Sequence, residues 1–549
     1  MGMPFMESKL SELIGLKEVL QGLQVLTSYG KAVKEELRPF LPEEGDRITK
    51  ALDNLAFFKE ALDSRLELQL LLKNNLSQFK DIRGTLKRLE GGEALNIIEF
   101  FEIKAQLMEM SELQSIIQNS RLKQMEALKL LSIEEVIKLL DPEGTGLKTF
   151  YLYDSYDENL KVIRKEKKDL EEEITKEKNR IKEIISQETQ LKPKLNGEII
   201  VDKQDKDKIR RLMESPWVFL SSESFRSLVF RVKSSSLLDE LNSKLLLVKS
   251  IEEDYEQEVR QRLTQQLKIY GEAIHQNIKV VGELDFLFGK YLLNKRIDGV
   301  RPKLVEGPYL QIEGGRHPIV ERTLRSKNQD FTPIDITLKS GVTLITGANM
   351  GGKTVILKLI ALTTIMAQMG LYVPAKRAYI GPVSFIHFSI GDQQSLEAGL
   401  STFGAEIFYL KNTLHRVEEG GLILMDELAR GTNPTEGYAI SKGIMEFLKD
   451  KPTISVITSH FDGLCRVKDI NHLQVVGLKM DLIAEDKDKI VKQQQAEGFL
   501  EEYMDYRLQP VSNGKAVPKD AIFVAKLLGL KDEIIQEAER AIKPLGEGE

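Results

Sequence analysis

Gly347-Ala-Asn-Met-Gly-Gly-Lys353-Thr354 decides how the later part of this chain folds. It follows an apolar run, Val342-Thr-Leu-Ile-Thr346, with the character of a buried strand. It opens a helical pattern, Val355-Ile-Leu-Lys-Leu-Ile360. Strand, glycine-rich turn and helix in that order make a phosphate-binding loop. Glycines let backbone N–H groups curl around a polyphosphate. The helix N-terminus adds its partial positive charge to the same anion. Gly347, Asn349, Met350, Gly351 and Gly352 form the cradle, Lys353 supplies a charge for the β- and γ-phosphates, and Thr354 a hydroxyl for Mg²⁺. The expected ligand is a nucleoside triphosphate, ATP, with Mg²⁺ as its metal.

Downstream, Gly421-Leu-Ile-Leu-Met-Asp426-Glu427 is an apolar strand ending in two carboxylates. Asp426 suits Mg²⁺ ligation through water, and Glu427 can polarise the attacking water. Gly391-Asp-Gln-Gln-Ser-Leu-Glu-Ala-Gly-Leu-Ser401-Thr-Phe403 opens a helix with a hydroxyl-rich turn. Ser401 there has two readings: contact with a γ-phosphate held by another subunit, or a helix N-cap shared with Thr402. Thr458-Ser-His460 ends a further strand. His460 can hydrogen-bond the γ-phosphate or the attacking water, or serve structure alone. Four apolar runs, Val342–Thr346, Gly421–Met425, Thr453–Thr458 and Leu473–Leu478, alternate with helices from about residue 300 onward. That is an α/β domain with a mostly parallel sheet, whose ligands sit at the carboxyl ends of the strands.

Upstream the texture changes. Leu160, Ile163, Leu170, Ile174, Ile181 and Ile184 fall on a heptad seam, with Lys167 and Glu177 at its polar positions. Leu241, Leu245, Val248, Ile251, Tyr255, Val259 and Leu263 form the returning partner of a projecting coiled-coil arm. Between them lies a tip at about 190–235. It mixes Lys203, Lys206, Lys208, Arg210, Arg211, Arg226, Arg231 and Lys233 with Trp217, Phe219, Phe225 and Phe230. Such a tip grips nucleic acid, or is a small subdomain with an aromatic core and a solvated rim. Residues before about 150 read as helices separated by turns at Pro42–Gly45, Gly91-Gly92 and Pro142–Gly146.

With 549 residues, several domains are expected. Hydrophobic residues make up 42% and charged residues 30%, which fits a soluble protein with long solvated helices. A net charge of −6 argues against a globally basic nucleic-acid coat but allows a local basic surface. The single cysteine, Cys465, excludes an internal disulfide and a cysteine-rich zinc site. Without a signal-like stretch or an apolar run of about eighteen residues, the expected location is the cytoplasm, away from membranes.

The strings GANMGGKT, STF, LMDELARGT and TSH, with Gly315-Arg-His317-Pro-Ile-Val-Glu321, resemble the MutS family of ABC-type ATPases. The likeness is close over about 300–545 and continues weakly backward through Glu283-Leu-Asp285 and the arm. IGDQQSLEAGLSTF, DELARGTNPTEG and Phe150-Tyr-Leu-Tyr-Asp154 favour the second branch, which lacks a mismatch-reading domain. The resemblance implies a homodimer in which Ser401 completes the partner's site, Phe331 near the adenine, and the loop Gly431–Gly437 at the subunit boundary. It divides the chain into an all-α helical core or lever domain at 1–155, a coiled-coil clamp arm at 156–275, a return segment at 276–300, and a P-loop ATPase domain at 301–549 ending in a helical dimerisation segment. A mismatch-binding domain, a connector domain and the C-terminal Smr module are all expected to be missing. The implied work is ATP-driven clamp movement on mismatched, damaged or branched DNA. A second possibility is a protein partner, since some MutS-like ATPases reactivate cobalamin-dependent aminomutases.

Overall fold

The computed structural model describes residues 4–347, 352–390, 402–430, 432–479, 482–483, 503–511, 521–527 and 529–542. The chain forms two compact units: Leu71–Asn119 with Leu128–Val281, and Met1–Leu70 with Ser120–Ala127 and Gly282–Glu549. Among the described residues no helix is long and apolar enough to cross a membrane.

The first of these units is mainly helical. Its helix α1 (Ile97–Gln118) starts with a reciprocal cap. The Glu99 amide donates to Asn96 Oδ1 at 2.9 Å, and the Asn96 amide to Glu99 Oε2 at 2.8 Å. Lys104 on this helix is fully buried, compensated by Asp141 at 3.2 Å. The arm is an antiparallel pair, α2 (Glu158–Thr189) out and α4 (Ser236–Lys268) back, with β1 (Glu198–Asp202), α3 (Lys206–Glu214), β2 (Val218–Glu223) and β3 (Ser227–Val232) between them. Leu160, Ile163, Ile174 and Ile181 line the seam as expected, but Ile185 rather than Ile184 is fully buried. On α4 the seam takes Glu252 while Ile251 faces water. The reason is charge matching: Glu252 accepts from Lys167 Nζ at 2.5 Å and Arg164 Nε at 3.2 Å.

The tip between the two arm helices contains strands that the sequence reading did not specify. There β1, β3 and β2 form an antiparallel sheet in that order, backed by α3. Phe230, Leu212, Val218 and Ile199 build its core with Ile185 and Leu238 from the arm. The tip is stable because two long helices lend it apolar side chains that the short strands lack.

The second unit is α/β. A small sheet has the order β4-β8-β5-β6, where β4 is Lys303–Leu304, β5 Tyr309–Gly315, β6 Ile334–Lys339 and β8 Arg377–Ile380. A larger sheet has the order β13-β12-β7-β11-β10-β9. Its members are β7 (Gly341–Thr346), β9 (Ile386–Ile390), β10 (Leu422–Asp426), β11 (Ile454–Thr458), β12 (Asn471–Leu478) and β13 (Met504–Pro510). All neighbouring pairs are parallel except β12 with β13. Every residue of β7, β10 and β11 is buried, so these strands are mostly apolar throughout rather than alternating. Helices α5 (Lys353–Gln368), α6 (Thr402–Leu414) and α7 (Pro434–Leu448) connect them.

Residues 1–70, grouped by sequence with the helices up to 155, cluster with this α/β unit instead. Leu10, Ile14, Leu16, Val19 and Leu23 enter one core with Leu357 and Ile360 of α5 and Ile312 of β5. The Ile386 amide donates to the Phe5 carbonyl at 2.8 Å. Each fully buried Leu or Ile contributes about 1.5–3 kcal/mol by leaving water, so these residues are held firmly.

Candidate active site

Parallel pairing brings the carboxyl ends of β7, β11 and β10 side by side, with Thr458 opposite Ile345 and Met425 opposite Ile457. The phosphate loop leaves β7 there. Gly347 has φ of +141°, and a Cβ on it would sit 2.9 Å from Val475 Cβ. Gly352, with φ of +74°, is the left-handed residue from which α5 starts. Only glycine takes both positions without strain. Asn349, Met350 and Gly351 lie outside the described residues, as does Ser401; α6 begins at Thr402, directly after it.

Lys353 is buried, and its Nζ donates to the Gly347 carbonyl at 2.9 Å across the loop. Burial pulls its pKa down, while the charges of Glu427 and Asp426 push it back up. The Thr354 hydroxyl donates to Asp426 Oδ2 at 2.5 Å. The Thr458 hydroxyl donates to Asp426 Oδ1 at 2.6 Å and accepts from the Glu427 amide at 2.9 Å. One threonine thus orients the first carboxylate and holds the backbone of the second. Glu427 has φ of +54° and Ala429 of +61°, so the turn after β10 is left-handed twice without a glycine. Glu427 Oε1 lies 2.6 Å from His460 Nε2, and Oε2 accepts from Arg430 Nη1 at 2.5 Å. The His460 hydrogen bond chiefly holds the Glu427 carboxyl below the usual carboxylate range, outweighing burial.

The expected residues Lys353, Thr354, Asp426, Glu427 and His460 therefore converge. Thr354 and Asp426 offer hard oxygen donors of the type Mg²⁺ takes. Among the described residues no group of three or more His, Cys, Asp or Glu side chains could hold a metal without such help. Phe331 packs half-buried against the core that also takes Leu473 and Leu508.

Thr458 and Arg430 had no assigned role in the sequence. Thr458 stood inside the quoted TSH string, and its place at a strand end was the available signal. Two other quoted strings turn out to be structural. His317 is buried beside Ile14, its Nε2 3.2 Å from that carbonyl, and burial holds its pKa down at about 4. Asp285, also buried, accepts from the Leu26 and Thr27 amides and the Thr27 hydroxyl.

At the tip of the arm, the basic residues are largely paired. Lys208 meets Asp205 at 2.6 Å, Arg210 meets Glu214 at 3.5 Å, Arg231 meets Glu198 at 2.7 Å, and Lys203 meets Glu223. Phe230 is core, whereas Phe219 and Phe225 are exposed, Phe225 at 95%.

Residues 343–546 match the family MutS domain V. Over those residues the chain is similar to the MutS family. Its likeness runs to the second branch. It is 28% identical over 509 residues to "Endonuclease MutS2" of Caldanaerobacter subterraneus subsp. tengcongensis, covering 89% of this chain and 59% of the relative. It is 27% identical over 473 residues to the protein of that name from Acetivibrio thermocellus, covering 84% and 57%. Against the Carboxydothermus hydrogenoformans protein it is 31% identical over 310 residues, covering 55% and 36%. The chain thus spans under three-fifths of the length of these relatives.

Proposed function

We propose that this protein is a Mg²⁺-dependent ATPase that works on DNA in repair or recombination control. The observation that carries the reading is the convergence at the end of β10: Asp426 bonded to Thr354, and Glu427 beside His460. Lys353 and the helix start of α5 bind the β- and γ-phosphates. Thr354 and Asp426 would hold Mg²⁺, which would supply positive charge to offset that of the phosphates. Glu427 orients the attacking water and takes up its proton, and His460 keeps that carboxylate ionised and aimed. Phe331 flanks the adenine. Two copies pair, with Ser401 of each completing the other's site, and the helical unit acts as lever and clamp. The likeness to proteins named Endonuclease MutS2 supports DNA as the partner. Exposed ion pairs at the tip are weak and can yield to phosphates, and the exposed Phe225 can stack on a base.

Glu427→Gln keeps shape and removes the carboxylate. We expect nucleotide binding to persist and turnover to fall by about 10²–10⁴-fold, the range for a lost general base. Lys353→Ala should weaken nucleotide binding itself. Unchanged hydrolysis in both variants sinks the hydrolytic reading. Fluorescence anisotropy on linear and four-way DNA at two salt concentrations tests the partner: binding should weaken steeply with salt. No binding at low salt removes DNA as the partner.

A further inference from the structure

The turn that aims Glu427 needs outside support. Glu427 and Ala429 both occupy left-handed backbone, and residues with a Cβ persist there only when their surroundings hold them. Three contacts do so. The Glu427 amide donates to Thr458 within the sheet. The Leu428 carbonyl accepts from the Ser441 hydroxyl of α7 at 3.2 Å. The Ala429 amide donates to Glu406 Oε2 of α6 at 3.3 Å. The other oxygen of Glu406 accepts from the Ser389 hydroxyl of β9 at 3.3 Å. Glu406 thus ties α6, β9 and the Glu427 turn together through one side chain. It is half-buried, and desolvation pushes its carboxyl pKa up.

We propose that Glu406 is a positioning residue for hydrolysis, setting the aim of the Glu427 carboxylate through the Ala429 amide. The inference rests on the hydrolytic reading above and adds a residue that touches neither nucleotide nor metal. It makes the orientation of Glu427 depend on where α6 lies. A displacement of α6 that stretches the Ala429 contact releases the turn, and the turn then relaxes toward ordinary backbone with its carboxylate misdirected. Binding of nucleotide by Lys353 and Thr354 is left intact.

The test uses the full-length protein with Mg²⁺ and ATP, reading kcat, KM and the affinity for a fluorescent ATP analogue. Glu406→Ala should lower kcat by about tenfold, the scale of one modest transition-state contact, with KM and affinity within about twofold of the parent. Glu406→Gln should restore kcat, because its amide oxygen accepts from Ala429 and its NH₂ donates to Ser389. Ala429→Gly, which removes the Cβ penalty at φ of +61°, should recover part of the loss in the double variant. Should Glu406→Ala not fold, Glu406→Met fills the volume without an acceptor and takes its place. Parent-like kcat in the Ala or Met variant overturns the proposal. So does failure of Gln to rescue, or an equal loss of affinity and kcat. A parent protein that does not hydrolyse ATP refutes the hydrolytic reading itself; a hydrolysing parent with an indifferent Glu406 refutes only this inference.

Discussion

Thr458→Val tests the strand-end geometry at its most connected point. Valine keeps the shape and removes the hydroxyl, so two bonds vanish together: the 2.6 Å donation to Asp426 and the 2.9 Å acceptance from the Glu427 amide. A hydrogen bond to a charged group is worth about 1.5–3 kcal/mol and an ordinary one about 1 kcal/mol. Thr458 is fully buried, so water does not replace either bond. The expected loss of stability is therefore about 2.5–4 kcal/mol, read by urea unfolding of the α/β unit. Catalysis should suffer separately. Without the amide anchor, Glu427 can leave its left-handed conformation, which stores about 1–3 kcal/mol. If that energy is what keeps the carboxylate aimed, kcat falls by about 5- to 150-fold. Thr458→Ser retains the hydroxyl and should stay within about threefold of the parent. Steady-state ATPase assays with all three proteins decide the matter. A valine variant that turns over ATP at the parent rate would show that Thr458 orients nothing of consequence.

Three further outcomes are expected. His317 and His387 are buried with pKa values depressed to about 4, so the folded state resists their protonation while the unfolded state accepts it near pH 6.5. Their stabilisation is full above about pH 6.5 and declines as the pH falls toward 4, by about 2 kcal/mol each at pH 5; urea unfolding at pH 7 and 5 should show it, and His387→Asn should remove about half. Asp285→Ala strands the Leu26 and Thr27 amides, and denaturation should register a loss of about 3–5 kcal/mol, with Asp285→Asn intermediate. Replacing Lys206, Lys208, Arg210 and Arg211 with Glu should weaken DNA binding and flatten its salt slope while leaving basal ATPase at the parent level; an unaltered salt slope would remove the tip from the DNA contact.

The parallel strands were legible because both their faces are covered, which leaves uninterrupted apolar runs such as Leu422–Met425. The phosphate loop was legible because Gly347 and Gly352 occupy backbone that other residues avoid. The left-handed turn at Glu427 and Ala429 carried no such mark, since contacts from distant Thr458, Ser441 and Glu406 impose it. The arm's seam departs from the reading at two places: Ile185 is buried in place of Ile184, and Glu252, a charge, stands in for a hydrocarbon beside Ile251. The strands of the tip escaped notice because they are short and complete their core with Ile185 and Leu238 of the flanking arm helices. The same is true of residues 1–70, whose amphipathic helices look alike whichever core they enter.

That last packing has a temporal side. Leu10 and Ile14 share a core with Ile356 and Ile360. During synthesis the early helices emerge on the order of 350 residues before their partners, roughly 20–70 s at ribosomal speeds of about 5–20 residues per second. In that interval their apolar faces have nowhere native to go. The α/β unit thus joins Leu10 and Ile14 to α5, a long-range contact of the kind that slows folding. How well residues 10–23 stay soluble until α5 is made therefore bears on the yield of folded protein, independently of any residue at the site itself.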